Sequence, residues 1–206
     1  PQLAFLVREG HADAALSDDS DLLVYGCPRC LYKFNEKTGT AEMLAFSALR
    51  SAEDTGGNHL FDGKCADEWA LWRDGLFVDL CVLAGSDYLP SLPRVGLKSA
   101  HAALRAEKDL RRALTIGMRD RVKLPPAELS EYLAKVDKVR AVFHHALVYD
   151  PTGKCVQPLN PLPGGAPLPP HLHARRPIRR CRMATPWTRS PRRCRRSSTC
   201  PPAPPL

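Results

Sequence analysis

Ala12-Asp13-Ala14-Ala15-Leu16-Ser17-Asp18-Asp19-Ser20-Asp21-Leu22-Leu23-Val24-Tyr25-Gly26 decides the fold class. Ala12 to Leu16 is short and apolar enough to be a buried strand, and the acidic run behind it gives way to Leu22-Leu23-Val24-Tyr25 and a glycine stop. Upstream, Leu3, Leu6 and Val7, with Ala4 and Phe5 between them, predict the end of a helix that stops around Gly10. A helix, a buried strand, and acids where the strand hands over to the next helix make an α/β arrangement. In such folds the site lies at the strand's carboxyl end.

Beyond Gly26, Cys30 to Phe34 and Ala41 to Phe46 flank the turn-rich Asn35-Glu36-Lys37-Thr38-Gly39, which predicts a hairpin at the sheet edge. Residues 51–64 are polar and glycine-rich and read as a surface loop. Trp69, Trp72, Leu76, Leu80 and Leu83 recur at three- and four-residue steps, so Asp67 to Ala84 is expected as one helix closing at Gly85, with Gly75 awkward inside it and both tryptophans in the core. Leu97–Ala106 and Asp109–Met118 are shorter helix candidates. Pro125-Pro126 opens a longer one through Leu129, Leu133, Val136, Val139 and Phe143. The chain is thus expected to run α/β first and then all helical.

The net charge of +8 over 206 residues suggests a nucleic-acid partner until it is divided. Residues 151–206 hold Lys154, ten arginines and no acid, which leaves 19 basic against 22 acidic side chains in residues 1–150. Fourteen of the 20 prolines also fall in 151–206. With no helical or strand periodicity there, that segment is expected to be disordered. No apolar run is long enough to span a bilayer and the sequence shows no charged-then-apolar leader of the secretory type, so the chain is expected to be a soluble fragment without membrane contact. The eight cysteines show no framework spacing, which fits a reduced intracellular setting. Cys27-Pro-Arg-Cys30 has no second pair or histidine at ligand spacing, and two small residues at a strand start are preferred over zinc.

Asp19 and Asp21, at positions i and i+2 of an extended segment, would point the same way and converge at the strand end, with Asp18 adding charge. Such clustered acids suit a hard divalent cation and phosphodiester hydrolysis. The competing reading is a helix N-cap, where Asp and Ser satisfy backbone amides. Gly85-Ser86-Asp87-Tyr88 puts another acid in a turn after an apolar helix, where, on these residues alone, a purely structural Asp turn is the favoured reading. Leu89-Pro90-Ser91-Leu92-Pro93-Arg94-Val95-Gly96-Leu97-Lys98-Ser99-Ala100 is a proline-bounded turn entering a helix. Free N–H groups at that helix start would suit a DNA phosphate, with Lys98 close by. A plain helix-turn-helix corner is the alternative.

Together, Asp18-Asp19-Ser20-Asp21-Leu22-Leu23, Tyr25-Gly26-Cys27-Pro28-Arg29 and Cys81-Val82-Leu83-Ala84-Gly85-Ser86-Asp87-Tyr88-Leu89-Pro90-Ser91-Leu92-Pro93 resemble the exonuclease 1 branch of the flap endonuclease (XPG-type) family of 5′ nucleases. Gln2-Leu3-Ala4-Phe5-Leu6 resembles the helix after that family's paired glutamates, and the likeness runs to about residue 165. The resemblance implies a partial PIN-like (Rossmann-like) sheet in residues 1–48, a variable loop at 49–64, and a helical DNA-binding region at 65–150 with a helix-two-turn-helix near 85–106; the Pro/Arg-rich tail is placed at 151–206. It implies that Asp19, Asp21 and Asp87 help hold two Mg²⁺ ions. It further implies that Ser91, Arg94, Val95, Gly96 and Lys98 meet duplex DNA, and that Ser91 and Val95 serve a K⁺ ion. The partner implied is double-stranded DNA with a 5′ end, nick or flap, and the setting is nuclear repair and replication. Pro28-Arg29 and Lys33 belong to the resembling stretch without an implied role.

Two departures qualify it. Arg94 stands where the family usually has glycine, so the hairpin is expected to be strained or to use Arg94 as an extra phosphate contact. The family's N-terminal aspartates and paired glutamates have no counterpart, so the chain alone is expected to be inactive or nearly so. From about Gly164 onward nothing resembles the family, and the composition suits GC-rich sequence read out of frame better than a DNA-binding tail. A non-catalytic DNA-binding remnant is the second functional reading. The retained acids favour the nuclease, because a pure binder has no need to cluster acids near phosphates.

Overall fold

Helix α1 (Gln2–Arg8) turns Ala4, Phe5 and Val7 inward and ends before Gly10, whose φ of 75° suits a residue without a side chain. This is the helix its apolar spacing predicts. The computed structural model describes residues 1–61 and 66–165. The expected strand over Ala12–Leu16 shrinks to β1 (Ala15–Leu16), in which only Ala15 is buried while Leu16 is 51% exposed. Asp13 is exposed and interrupts the apolar run, and among the described residues β1 pairs on one side alone.

Strand β1 lies parallel to β2 (Arg29–Asn35), with Ala15 opposite Cys30, and β2 pairs antiparallel with β3 (Thr40–Ala45). The hairpin is as predicted. Asn35 Oδ1 accepts the Lys37 and Thr38 N–H groups, and Gly39 takes a positive φ. A bulge between Tyr32 and Asn35 leaves Lys33 at φ 51°. The polar loop that follows is anchored at its far end. Phe61 is buried, His101 Nε2 bonds the Leu60 carbonyl at 2.7 Å, and Arg105 donates to the His59 carbonyl at 3.1 Å. Residues 62–65 of the predicted loop lie outside the described residues.

The single helix expected over Asp67–Ala84 is three pieces: α3 (Ala66–Leu71), a π turn over Trp72–Leu76, and α4 (Phe77–Ala84). Gly75 leaves helical geometry there (φ 174°, ψ −35°), and the wider turn still buries Trp72 and Leu76. Trp72 stacks on His101 at 5.1 Å, whereas Trp69 is only half-buried beside Phe46. Helix α5 (Leu97–Glu107) packs Ala100, Ala103 and Leu104 inward, and Gly117 meets it so closely that a Cβ would stand 3.0 Å from that of Ala103. Helix α6 (Leu110–Arg112) starts at Asp109, whose carboxylate accepts the Arg112 N–H, and runs into a second π turn over Ala113–Gly117. Helix α7 (Pro126–His145) buries Val136, Val139 and Phe143 beneath α4, following the predicted stripe.

The described residues do not end in helices. Strands β4 (Leu147–Asp150) and β5 (Cys155–Pro158) form an antiparallel hairpin, so the disordered tail predicted from residue 151 is corrected over residues 151–165. Leu159 is buried and its N–H bonds the Ala146 carbonyl, while Asn160 bonds the His144 carbonyl and accepts from Arg8 of α1. Proline richness misled because Pro158 closes a strand and Pro151 opens a turn, both positions that proline tolerates. The disorder expected for 166–206 falls outside the described residues. Among the described residues no helix is long and apolar enough to cross a membrane.

Candidate metal centre and nucleic-acid interface

The acidic run follows β1 and enters α2 (Asp21–Val24), as the α/β reading requires. Its polar side chains then divide their roles. Asp18 Oδ1 accepts the Lys33 N–H at 2.8 Å and so anchors the bulge of β2. Asp19 Oδ1 accepts the Asp21 N–H at 2.9 Å, while the Asp19 N–H donates to Ser17 Oγ. The predicted extended geometry of Asp19 and Asp21 is therefore corrected: Ser20 is already helical (φ −67°, ψ −20°) and Asp21 is the first residue of the helix. The Asp19 carboxylate thus holds the first amide of α2, while Ser20 at the N-cap makes no side-chain cap bond.

Asp87 arrives from the end of α4. Gly85 turns the chain at φ 107°, the Ser86 and Leu89 backbones pair across the tight turn, and Asp87 is left exposed at its tip. The Asp21 carboxyl is raised above the ordinary range, first by burial and then by the charges of Asp19 and Asp87. All three predicted carboxylates therefore share one field. Cys81, one turn back on α4, is pushed up to about 12 by burial and by Asp21.

Oxygen-only donors suit a hard divalent ion, so the donor chemistry fits Mg²⁺. The number does not complete a site. Among the described residues no three His, Cys, Asp or Glu side chains stand closely enough to cage a cation. Three carboxylates would leave much of an octahedron to water or other ligands. The Cys27/Cys30 pair is free and fully buried; burial and the neighbouring Cys30 thiol raise Cys27 to about 11, the state of an inert packed thiol.

The second half of the site is the turn from Leu89 to Ser99. Ser91 backs onto Gly85, where an added Cβ would come within 3.3 Å of the Ser91 nitrogen, so this loop folds against the Asp87 turn. Arg94 takes φ 66°, the left-handed conformation for which glycine is suited. Val95 is buried and its N–H bonds the Leu92 carbonyl. The Gly96 N–H is taken by Ser99 Oγ at 3.0 Å. The N–H groups of Val95 and Gly96 are thus taken, and those at the helix start itself are the ones to consider. The first bond of the α5 ladder runs from Ala100 to Gly96, so the N–H groups of Leu97, Lys98 and Ser99 precede it. Leu97 and Lys98 are exposed there.

Pattern reasoning missed the aromatic contacts beside the acids. Tyr25 and Tyr88 meet through their hydroxyls at 3.2 Å, and both rings lie on Phe143 at 5.2 and 5.4 Å. Residues so far apart in the chain carry no local periodicity that could reveal such a contact.

The XPG I-region family matches residues 1–87, from α1 to Asp87. Exonuclease 1 of Danio rerio is 31% identical over 164 residues, which cover 79% of this chain and 18% of that protein. Exonuclease 1 of Arabidopsis thaliana is 31% identical over 153 residues, 74% of this chain and 18% of its own length. The chain thus spans less than a fifth of the length of these relatives. A solved flap endonuclease-1 from Methanococcus jannaschii aligns with 73% of this chain and 38% of its own at 20% identity and a TM-score of 0.47.

Proposed function

Since the chain belongs to the exonuclease 1 branch of the flap endonuclease family, we propose that it supplies the duplex grip and a share of the metal site of a Mg²⁺-dependent 5′→3′ exodeoxyribonuclease. That enzyme would act on DNA with a 5′ end, nick or flap during nuclear repair and replication. The observation that carries the proposal is the juxtaposition of an acidic field at Asp19, Asp21 and Asp87 with the folded turn leading from Asp87 to the open amides of α5.

Asp19, Asp21 and Asp87 would hold the divalent ions, which when bound supply an activated water and charge neutralisation at the leaving oxygen. The residues of the turn have their own work. Leu97, Lys98 and Ser99 offer N–H donors to a phosphate of the duplex, and the Lys98 ammonium adds sequence-independent attraction. Arg94 lies on the same exposed turn and adds a second cation. Ser91 and Val95 would serve a K⁺ ion beside that phosphate. The DNA-binding remnant remains the second reading, favoured by the lack of a three-ligand cage among the described residues.

A titration of 5′-recessed duplex with the 206-residue chain in Mg²⁺, following both binding and product release, tests the proposal. Duplex should bind more tightly than single strand of equal length, with hydrolysis too slow to detect. Equal binding of both strands would overturn the grip. Mg²⁺-dependent degradation abolished by Asp87→Ala would show that three carboxylates suffice.

A further inference from the structure

Asp21 and Asp87 stand on separate elements, and one aromatic cluster ties those elements together. Tyr25 ends α2 and its N–H donates to the Asp21 carbonyl at 2.9 Å, so its backbone belongs to the turn that presents Asp21. Tyr88 directly follows Asp87. Across the gap the two hydroxyls meet at 3.2 Å, and Phe143 of α7, almost fully buried, supports both rings. Tyr25 is itself buried, whereas Tyr88 is half-exposed and depends on this contact for its place.

We infer that Tyr25 and Tyr88 are positioning residues for the metal site: their hydroxyl contact on Phe143 sets the separation of Asp21 and Asp87. The inference rests on the metal reading of those two acids. Hydrophobic packing alone would be satisfied by two phenylalanines, and the Tyr88 hydroxyl has solvent within reach, whereas the buried Tyr25 hydroxyl has Tyr88 as its partner. What the contact adds is a fixed relation between two short elements whose tips carry the acids. Ligands held by such outer contacts bind metal more tightly than ligands that must be ordered on binding.

The test uses Mn²⁺ as probe on the full chain, with affinity from water-proton relaxation and folding from thermal melting. Tyr25→Phe should weaken Mn²⁺ by about fivefold to tenfold with melting nearly unchanged, and Tyr88→Phe should weaken it alike while lowering the melting temperature, because the buried Tyr25 hydroxyl then lacks its partner. The double variant should lose no more than one single variant, because each removes the same contact. Asp87→Asn separates the two levels of the claim. If it weakens Mn²⁺ while both Tyr→Phe variants bind as wild type, the positioning role is overturned and the metal reading stands. If Asp87→Asn leaves Mn²⁺ binding unchanged, both fall.

Discussion

The side-chain amide of Gln2 pairs with the backbone of Tyr149 as a neighbouring strand would: Nε2 donates to the Tyr149 carbonyl at 2.9 Å and Oε1 accepts the Tyr149 N–H at 2.8 Å. Helix α1 thereby closes onto β4, and Arg8 repeats the link through Asn160 at 3.0 Å. Gln2→Ala leaves two partly buried backbone groups without these partners and should cost about 1–3 kcal/mol. A chain cut after Asp150 loses β5 and Asn160 as well, and should unfold at lower urea than a chain cut after Gly165. Equal midpoints for the two truncations would show that the hairpin carries no stability.

This pairing also marks what the sequence could not disclose. Helices α1, α5 and α7 and the β2–β3 hairpin were legible because their signals are local: apolar steps of three and four, Pro126 near a helix start, Asn35 and Gly39 in a turn. The β4–β5 hairpin was hidden because composition averaged over 151–206 is dominated by residues beyond it. The break at Gly75 was visible as an awkward residue, but a π turn conserves the apolar stripe and so escapes periodicity. At the site the acids were legible as residue types, while their arrangement was not. Ser20 enters the helix early, and the Tyr25–Tyr88 contact depends on how α2, α4 and α7 assemble.

Arg94 at φ 66° makes a direct prediction. The left-handed conformation costs a side-chain-bearing residue roughly 1–2 kcal/mol, against the 0.5–1 kcal/mol that glycine's extra freedom in the unfolded chain costs. Arg94→Gly should therefore raise stability slightly, and Arg94→Ala should not. If both weaken duplex binding alike, the guanidinium touches phosphate; if neither does, its place in the turn is structural only. Melting curves and duplex titrations on the same two proteins separate strain from contact.

Asp79, buried on α4, faces Arg140 of α7 in an ion pair at 2.6 Å that is not aligned as a hydrogen bond. Burial nevertheless wins over the attraction of Arg140, and with Asp109 and Asp137 adding repulsion the carboxyl is raised to about 6. The folded state thus holds this proton more tightly than the unfolded chain, whose Asp titrates near 3.9. The stability from that proton is complete below about pH 4 and is lost as pH climbs through about 6. Its size is at most about 3 kcal/mol. Asp79→Asn should flatten the dependence of unfolding free energy on pH between 4 and 6 and remain folded at pH 7.5, where Arg140, 36% exposed, can turn toward water. An unchanged slope would assign the pH dependence to other groups.

The central claim is that the amides at the start of α5, with Lys98, grip a duplex backbone. Leu97 is the first residue of α5, it is 60% exposed, and Gly96 before it is extended (φ −122°, ψ 177°), so a proline fits there and removes one N–H without disturbing the helix. Duplex affinity measured across a salt series, for wild type, Leu97→Pro and Lys98→Ala, is the most direct test. The account predicts that Leu97→Pro weakens binding by about tenfold at each salt concentration with melting unchanged. Lys98→Ala should lower the salt slope by about one phosphate contact. Wild-type affinity and slope in both variants would contradict it.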